Sequence, residues 1–283
     1  MKILVIGSTG KISKEYYKEN IYKKNLLFTS SKKKNKKVIF FDITKTDISP
    51  IIKNNDISKV IIFSAISNPE ECKLKKKESY NINVIYTKKL IQKLISLKIY
   101  FIFFSSEYVF DGIRGSYTEK SIANTKMIYG KHKIDIENYI RSKKFKKSLI
   151  LRISKTFGTN LNDGTFFSGY LKLYLNGQRN FEIASDQFFS PLYVKDLIKL
   201  IDIALKKNLI GLYNVCGDDT SSRIEFIKKI FLKQKIYDAK LIEVSMNKFD
   251  NKIFYPLNTS MQNNKIKTAT NFNFSKLKNL RFE

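Results

Sequence analysis

Lys2-Ile3-Leu4-Val5-Ile6-Gly7-Ser8-Thr9-Gly10-Lys11-Ile12-Ser13 carries a short apolar run that stops at a glycine. Ile3 to Ile6 reads as a buried β-strand, and the polar residues from Lys11 onward read as the start of a helix. Gly7 and Gly10 therefore sit in a strand-to-helix turn. Glycines at such a turn let backbone N–H groups approach a pyrophosphate, and the helix N-terminus adds positive potential. Gly7, Thr9, Gly10, Lys11 and Ile12 are candidate cofactor contacts on this ground. The usual third small position is Ser13 rather than glycine.

Outward from that turn, β-branched or aromatic runs recur at Leu26 to Thr29, Val38 to Phe41, Val60 to Phe63, Ile99 to Phe104 and Leu149 to Ile153. Between the last three lie long segments, Glu78 to Leu97 and Thr125 to Lys146, whose apolar residues recur at three and four, as a helix requires. Near-continuous apolar strands separated by helices imply a parallel sheet covered on both faces. The expected fold is α/β, a doubly wound parallel sheet of the Rossmann type. Beyond Arg152 the pattern loosens: Thr165 to Asn176, Val194 to Lys207 behind Pro191, and Ser221 to Lys233 read as helices, and Leu212 to Val215 as a buried strand. The division expected is a dinucleotide-binding domain over 1–155 with return segments near 186–216. Segments 156–185 and 217–283 would form a smaller α+β substrate region over the carboxyl ends of the sheet.

The 283 residues include 53 Lys+Arg against 25 Asp+Glu, a formal charge of +28, yet 43% are hydrophobic, too apolar for a disordered chain. All but six of the basic residues are lysine, and they are scattered. Nucleic-acid readers lean on arginine, so a solvated surface is expected and no nucleic-acid partner. Cys72 and Cys216 have no Cys or His neighbours at ligand spacing and read as buried free thiols, with no metal. The first apolar run is too short for a signal peptide, and no apolar stretch suits a membrane span. A cytoplasmic protein is the expectation.

After the second strand, an NAD site usually offers a carboxylate to the ribose 2′-hydroxyl. Here the stretch is Thr29-Ser30-Ser31-Lys32-Lys33, all hydroxyls and ammonium groups, which suits a 2′-phosphate. NADP is expected, with NAD as the alternative, and Ser30, Ser31 and Lys32 are candidate contacts. Asp42, with Ile43 beside it, ends the third strand and either meets the adenine amine or caps the following helix.

The most specific constellation is Phe103-Phe104-Ser105-Ser106-Glu107-Tyr108-Val109-Phe110-Asp111-Gly112, followed by Tyr129-Gly130-Lys131-His132-Lys133. Spacing of i, i+4 puts the Tyr129 phenol and the Lys133 ammonium on one helix face. An adjacent ammonium stabilises phenolate and should lower the Tyr129 pKa. Ser106 would hydrogen-bond the oxygen that Tyr129 protonates.

In this order the motifs resemble an extended short-chain dehydrogenase/reductase, and within it the dTDP-4-dehydrorhamnose reductase group of nucleotide-sugar reductases. The likeness extends over most of the chain. It includes Ser64-Ala65-Ile66 at a strand end, Asn83 in an Asn-Val context, Leu151-Arg152-Ile153-Ser154, Ser190 to Leu197, Gly211 to Val215 and Pro256-Leu257-Asn258-Thr259-Ser260. The resemblance implies Tyr129 as general acid, Lys133 as its tuner and ribose contact, and Ser106 as the group orienting the carbonyl. It adds Ser64, Ala65, Ile66 and Asn83 to the cofactor contacts, and assigns Glu107, Tyr108 and Lys155 to the substrate. The implied reaction is NADPH-dependent reduction of the C4 ketone of a nucleoside-diphosphate 4-keto-6-deoxy sugar, in polysaccharide biosynthesis.

Departures from the family pattern matter too. An Asp beside the catalytic hydroxyl becomes Glu107, a common Trp after the sixth strand becomes Lys155, and the late Arg-Pro reads Tyr255-Pro256. These leave a related but different nucleotide-sugar open. Dehydratases place two carboxylates after the hydroxyl, and here the second position is Tyr108. An epimerase-reductase survives if Glu107 serves as base, and a simple epimerase fits the triad less well. A non-catalytic NADP-binding regulatory subunit, as for methionine adenosyltransferase, is the alternative from a different class. His132 is expected to face solvent, and Asp135 and Glu137 to pair with surface lysines. Related reductases often pair through helices flanking the sheet; lysines on those faces weaken that contact here, so a homodimer stays open.

Overall fold

The computed structural model describes residues 2–32, 38–160, 163–249 and 254–281. Seven parallel strands form its sheet: β1 (Lys2–Ile6), β2 (Leu26–Ser30), β3 (Val38–Phe40), β4 (Ile57–Ile62), β5 (Tyr100–Ser106), β6 (Ser148–Ile153) and a last strand, Gly211–Val215. From one edge their order is β3-β2-β1-β4-β5-β6 and then Gly211–Val215. β1 pairs with β2 on one side, Ile3 opposite Leu26, and with β4 on the other, Ile3 opposite Lys59. The chain thus winds outward from β1, then returns to start again at β4. A crevice opens at the carboxyl ends where the winding reverses, and the Gly7–Gly10 turn lies there.

Alternate residues of each strand point to opposite faces, and both faces are buried. Ile3 and Val5 pack with Leu197, Ile201 and Ile266 on one side; Leu4 and Ile6 pack with Ile62, Leu90 and Ile136 on the other. A third core, around Phe157, Phe167, Phe181, Ile227 and Ile230, belongs to the later segments. There Asn180–Ala184 pairs in parallel with Lys240–Val244. Among the described residues, no helix is long and apolar enough to cross a membrane.

Two helices differ from their sequence expectation. The expected Glu78 to Leu97 helix is interrupted by a π-helical stretch, Asn81–Tyr86, between Lys76–Tyr80 and Thr87–Ser96. The Thr87 hydroxyl donates to the Ile82 carbonyl at 2.9 Å, bridging the widened turn. The expected Thr125 to Lys146 helix is shorter, Ile128–Ser142. Thr125 instead caps the approach through the Met127 N–H, and Lys144 turns the chain away at φ 48°.

Candidate active site

Two neighbouring clefts meet at the glycine turn. The larger, about 1070 Å³, runs from Thr9, Gly10 and Lys11 past Tyr129 and Lys133 to Lys155, Arg223 and Tyr255. The second, about 550 Å³, is lined by Gly7, Ser30, Ser31, Asp42, Ile43, Ser64 and Ile66, and shares Thr9, Gly10 and Ala65 with the first. The turn is held tight: Gly7 has φ 95°, and a Cβ there would lie 2.8 Å from the Ser64 nitrogen at the end of β4. Any side chain at position 7 would push the two strand ends apart.

Of the expected cofactor residues, Gly7, Thr9, Gly10, Lys11, Ile12, Ser30, Ser31, Asp42, Ile43, Ser64, Ala65 and Ile66 line one cleft or the other. Lys32 is exposed and its backbone N–H donates to the Ser30 hydroxyl at 3.1 Å; residues 33–37 of the lysine run lie outside the described residues. Asp42 behaves as a turn cap while lining the second cleft: its Oδ1 accepts from the Thr44 N–H at 2.9 Å and hydroxyl at 2.7 Å. Those bonds hold its carboxyl below the ordinary aspartate range. Asn83 lines neither cleft. Its Oδ1 accepts from the Ile66 N–H and its Nδ2 donates to the Ile66 carbonyl, each at 2.9 Å, so its hold on the site is exerted through the Ser64 to Ile66 wall.

Tyr129 and Lys133 stand together as the helical spacing requires. The Lys133 ammonium lies 5.4 Å from the centre of the Tyr129 ring and donates to the Phe104 carbonyl at 2.8 Å. The expected lowering of the Tyr129 pKa is not seen. Burial dominates and pushes the phenol up, and Cys72 adds to the rise. The same burial takes the Lys133 ammonium down to about 8. A charge removed from water loses its own solvation before it can help a neighbour, and here that cost exceeds the mutual benefit.

Ser106 is the last residue of β5. It is only 7% exposed, its hydroxyl accepts the Tyr108 N–H at 3.2 Å, and Ser105 lines the cleft instead. The Ser105 hydroxyl is itself committed to the Glu137 carboxylate. Glu107 is buried behind the wall, accepting from the Ser154 hydroxyl at 2.6 Å, and lines neither cleft, so it lacks the access that a substrate contact or an epimerase base needs. Burial raises its carboxyl pKa. Tyr108 and Lys155 do line the larger cleft.

Of the three residues assigned to the surface of the catalytic helix, His132 and Glu137 are inside and Asp135 is half-buried. His132 is 4% exposed, with Nδ1 3.4 Å from Asn83 Nδ2 and its ring edge-on to Tyr80. Glu137 pairs with Arg152 of β6 through Nη2 at 2.6 Å, both side chains 2% exposed. A helix packed between β5 and its neighbouring helices has little free face, which periodicity in a lysine-rich sequence conceals. Arg223 and Tyr255 of the larger cleft went unrecognised. Arg223 is one of only six arginines and directly follows the helix-capping Ser222, the one signal that marked it.

The family described as RmlD substrate binding domain matches residues 1–280. The chain belongs to that family. The expected kinship with extended short-chain dehydrogenase/reductases of the dTDP-4-dehydrorhamnose reductase group therefore holds. Among solved structures, dTDP-4-dehydrorhamnose reductase from Bacillus anthracis str. Ames in complex with NADP has the same fold, at TM-score 0.83 and 22% identity over 98% of this chain and 96% of that one. The spore coat polysaccharide biosynthesis protein SpsK of Bacillus subtilis (strain 168) is 27% identical over 212 residues, 74% of this chain and 72% of that protein. Methionine adenosyltransferase 2 subunit beta of Rattus norvegicus is 22% identical over 236 residues, 79% of this chain and 69% of that protein. A dTDP-4-dehydrorhamnose reductase and a methionine adenosyltransferase subunit are thus both similar to it.

Proposed function

We propose that this protein uses NADPH to reduce the C4 ketone of a nucleoside-diphosphate 4-keto-6-deoxy sugar. One observation carries the reading: Tyr129 and Lys133 open onto the same cleft as the glycine turn. The residues suit a dinucleotide. Gly7 leaves no space for a side chain at the turn, and the buried Ser13 hydroxyl on the following helix has no hydrogen-bond partner of its own. Segments 156–185 and 217–283 contribute Thr165, Tyr170, Arg223 and Tyr255 to the far wall, as a substrate region would.

Reduced nicotinamide would supply the hydride. The protein's part is the proton. A buried phenol with a raised pKa is fully protonated at neutral pH, and an alkoxide at C4 is a stronger base than phenolate, so transfer from Tyr129 runs downhill. Below about pH 8 Lys133 carries its charge beside that phenol and favours the anion left behind. The proton step is assigned to Tyr129.

Mixing the protein with NADPH and a dTDP-4-keto-6-deoxy sugar tests this: loss of the reduced-nicotinamide absorbance is expected. The likeness to methionine adenosyltransferase 2 subunit beta favours one other reading, a protein that holds NADPH without oxidising it. Saturable binding with unchanged absorbance across a panel of nucleotide-4-keto sugars would select that reading. Cofactor preference follows from Ser30, Ser31 and Lys32. Lys32→Glu is expected to weaken NADPH binding about tenfold, the effect of about 1.4 kcal/mol, and to leave NADH binding nearly unchanged. Equal losses for both cofactors would remove Lys32 from 2′-phosphate recognition.

A further inference from the structure

His132, the chain's single histidine, takes no part in the proton step and is nevertheless buried on the catalytic helix. Its ring lies between Tyr80, edge-on with ring centres 5.7 Å apart, and the side-chain amide of Asn83. Asn83 belongs to the π-helical stretch Asn81–Tyr86, which packs against the catalytic helix. Widened turns of this kind occur mostly where a helix serves a functional site. Here the turn holds one amide between the main chain of Ile66 and Nδ1 of His132.

Donor and acceptor rules fix the orientation of that amide. The Ile66 N–H can only donate and its carbonyl can only accept, so Oδ1 must face the first and Nδ2 the second, each at 2.9 Å. Nδ2 then has one hydrogen left. Its neighbours are Cys72 Sγ at 3.7 Å, a weak acceptor, and His132 Nδ1 at 3.4 Å. Nδ1 accepts that hydrogen only when it is bare, which puts the proton of the neutral ring on Nε2. A proton on Nδ1 would set N–H against N–H. If Asn83 turned over to accept it, the Ile66 N–H would lose its acceptor, and only the Cys72 thiol, 3.3 Å from the Ile66 carbonyl, would still hold that residue from this side.

We infer that His132 is a positioning residue for the dinucleotide: its bare Nδ1 locks Asn83, and Asn83 keeps the Ser64 to Ile66 wall of the second cleft in its binding position. The inference rests on the reading of that cleft as part of the cofactor site. Bound cofactor then favours the neutral ring, and by reciprocity the ring is harder to protonate while cofactor is bound. Burial holds His132 below the ordinary histidine range; Asp135 on the same helix opposes that fall and Lys133 adds to it. From the neighbouring elements, Tyr80 of Lys76–Tyr80 meets the ring, and the Cys72 thiol of Pro69–Leu74, kept protonated by burial with Glu71 beyond it, meets Asn83. The wall is therefore intact at neutral pH and loosens as pH falls through the lowered value of the ring.

Since the chain has one histidine, NMR of isotope-labelled ring nitrogens reads its tautomer and titration directly, with and without NADP. Expected are a bare Nδ1, titration below the ordinary histidine range, and a further fall of about one pH unit at saturating NADP, the counterpart of a tenfold affinity difference. An anionic cofactor acting through space alone would move the titration upward. His132→Phe keeps the ring volume beside Tyr80 and should bind NADP about tenfold more weakly near neutral pH, the loss of one hydrogen bond. His132→Asn puts an amide oxygen where Nδ1 stands and cannot become charged, so it should keep the affinity and lose the acid fall. The 2′-phosphate of NADP titrates at about pH 6 in wild type and variants alike and sets the common baseline. A proton found on Nδ1, a titration that NADP leaves alone or moves upward, or wild-type affinity in His132→Phe would each overturn the role of His132. Should either variant fail to fold, the wild-type measurements decide alone. If NADP does not bind wild type, the cofactor reading is overturned, while the tautomer of the free protein still decides the His132–Asn83 contact.

Discussion

Tyr129→Phe is expected to lower kcat by about 10²–10⁴-fold, the usual range for a positioned proton donor, while NADPH binding changes little. The phenyl ring keeps the buried volume next to Lys133, so the cleft stays filled and only the hydroxyl is lost. Stopped-flow measurement of NADPH oxidation, set against NADPH affinity from equilibrium binding, separates the chemical step from cofactor capture. The pH profile gives a second signature. Lys133 is protonated below about 8 and loses its charge as pH rises through that value, whereas the raised Tyr129 phenol holds its proton throughout. Turnover in wild type should therefore fall above about pH 8 through Lys133, with the phenol still able to donate. Full activity in Tyr129→Phe would remove that hydroxyl from the mechanism, and a rate that climbs above pH 8 would remove the ammonium.

Much of this arrangement is legible in the sequence because it rests on backbone periodicity and on glycine. The β1 run, the Gly7–Gly10 turn and the i, i+4 spacing of Tyr129 and Lys133 each require particular residues at particular steps, and the structure brings all of them to one crevice. Side-chain direction at a strand end is harder to read. Ser105 and Ser106 are identical in chemistry and adjacent, and only the end of β5 decides that Ser105 reaches Glu137 and Ser106 receives the Tyr108 N–H. Charge conceals burial in the same way. In a chain this rich in lysine, Glu137 and His132 look like surface residues, and nothing local marks Arg152, four strands of sheet away from β2, as the partner that draws Glu137 inside. The sign of the Tyr129 shift depends on how much water the fold removes around Lys133, a property of packing that no spacing rule carries.

Arg152→Met should be the most destabilising single change in the catalytic half of the molecule. Arg152 grips both oxygens of Glu137, Nε at 2.9 and 3.2 Å and Nη2 at 2.6 Å, and lies 5.0 Å from the Phe110 ring centre. Its Nη1 has no hydrogen-bond partner, and the Phe110 face gives the cation a second source of attraction. Removing the guanidinium leaves a carboxylate in the interior with the Ser105 hydroxyl and the more distant Lys133 charge to answer it. Breaking a buried pair on one side costs about 3–5 kcal/mol, and in a chain of this size that lowers Tm by roughly ten degrees. Arg152→Met with Glu137→Gln removes the stranded charge and should recover most of the loss, which thermal melts of the two variants would measure. Glu137 is one turn beyond Lys133 on the same helix, so the network also fixes the height of Lys133 and Tyr129 against β5. The single variant, assayed well below its melting point, should therefore lose kcat more than NADPH affinity. A Tm within about a degree of wild type would mean that the pair is dispensable, since about 3 kcal/mol cannot vanish from a transition of this size.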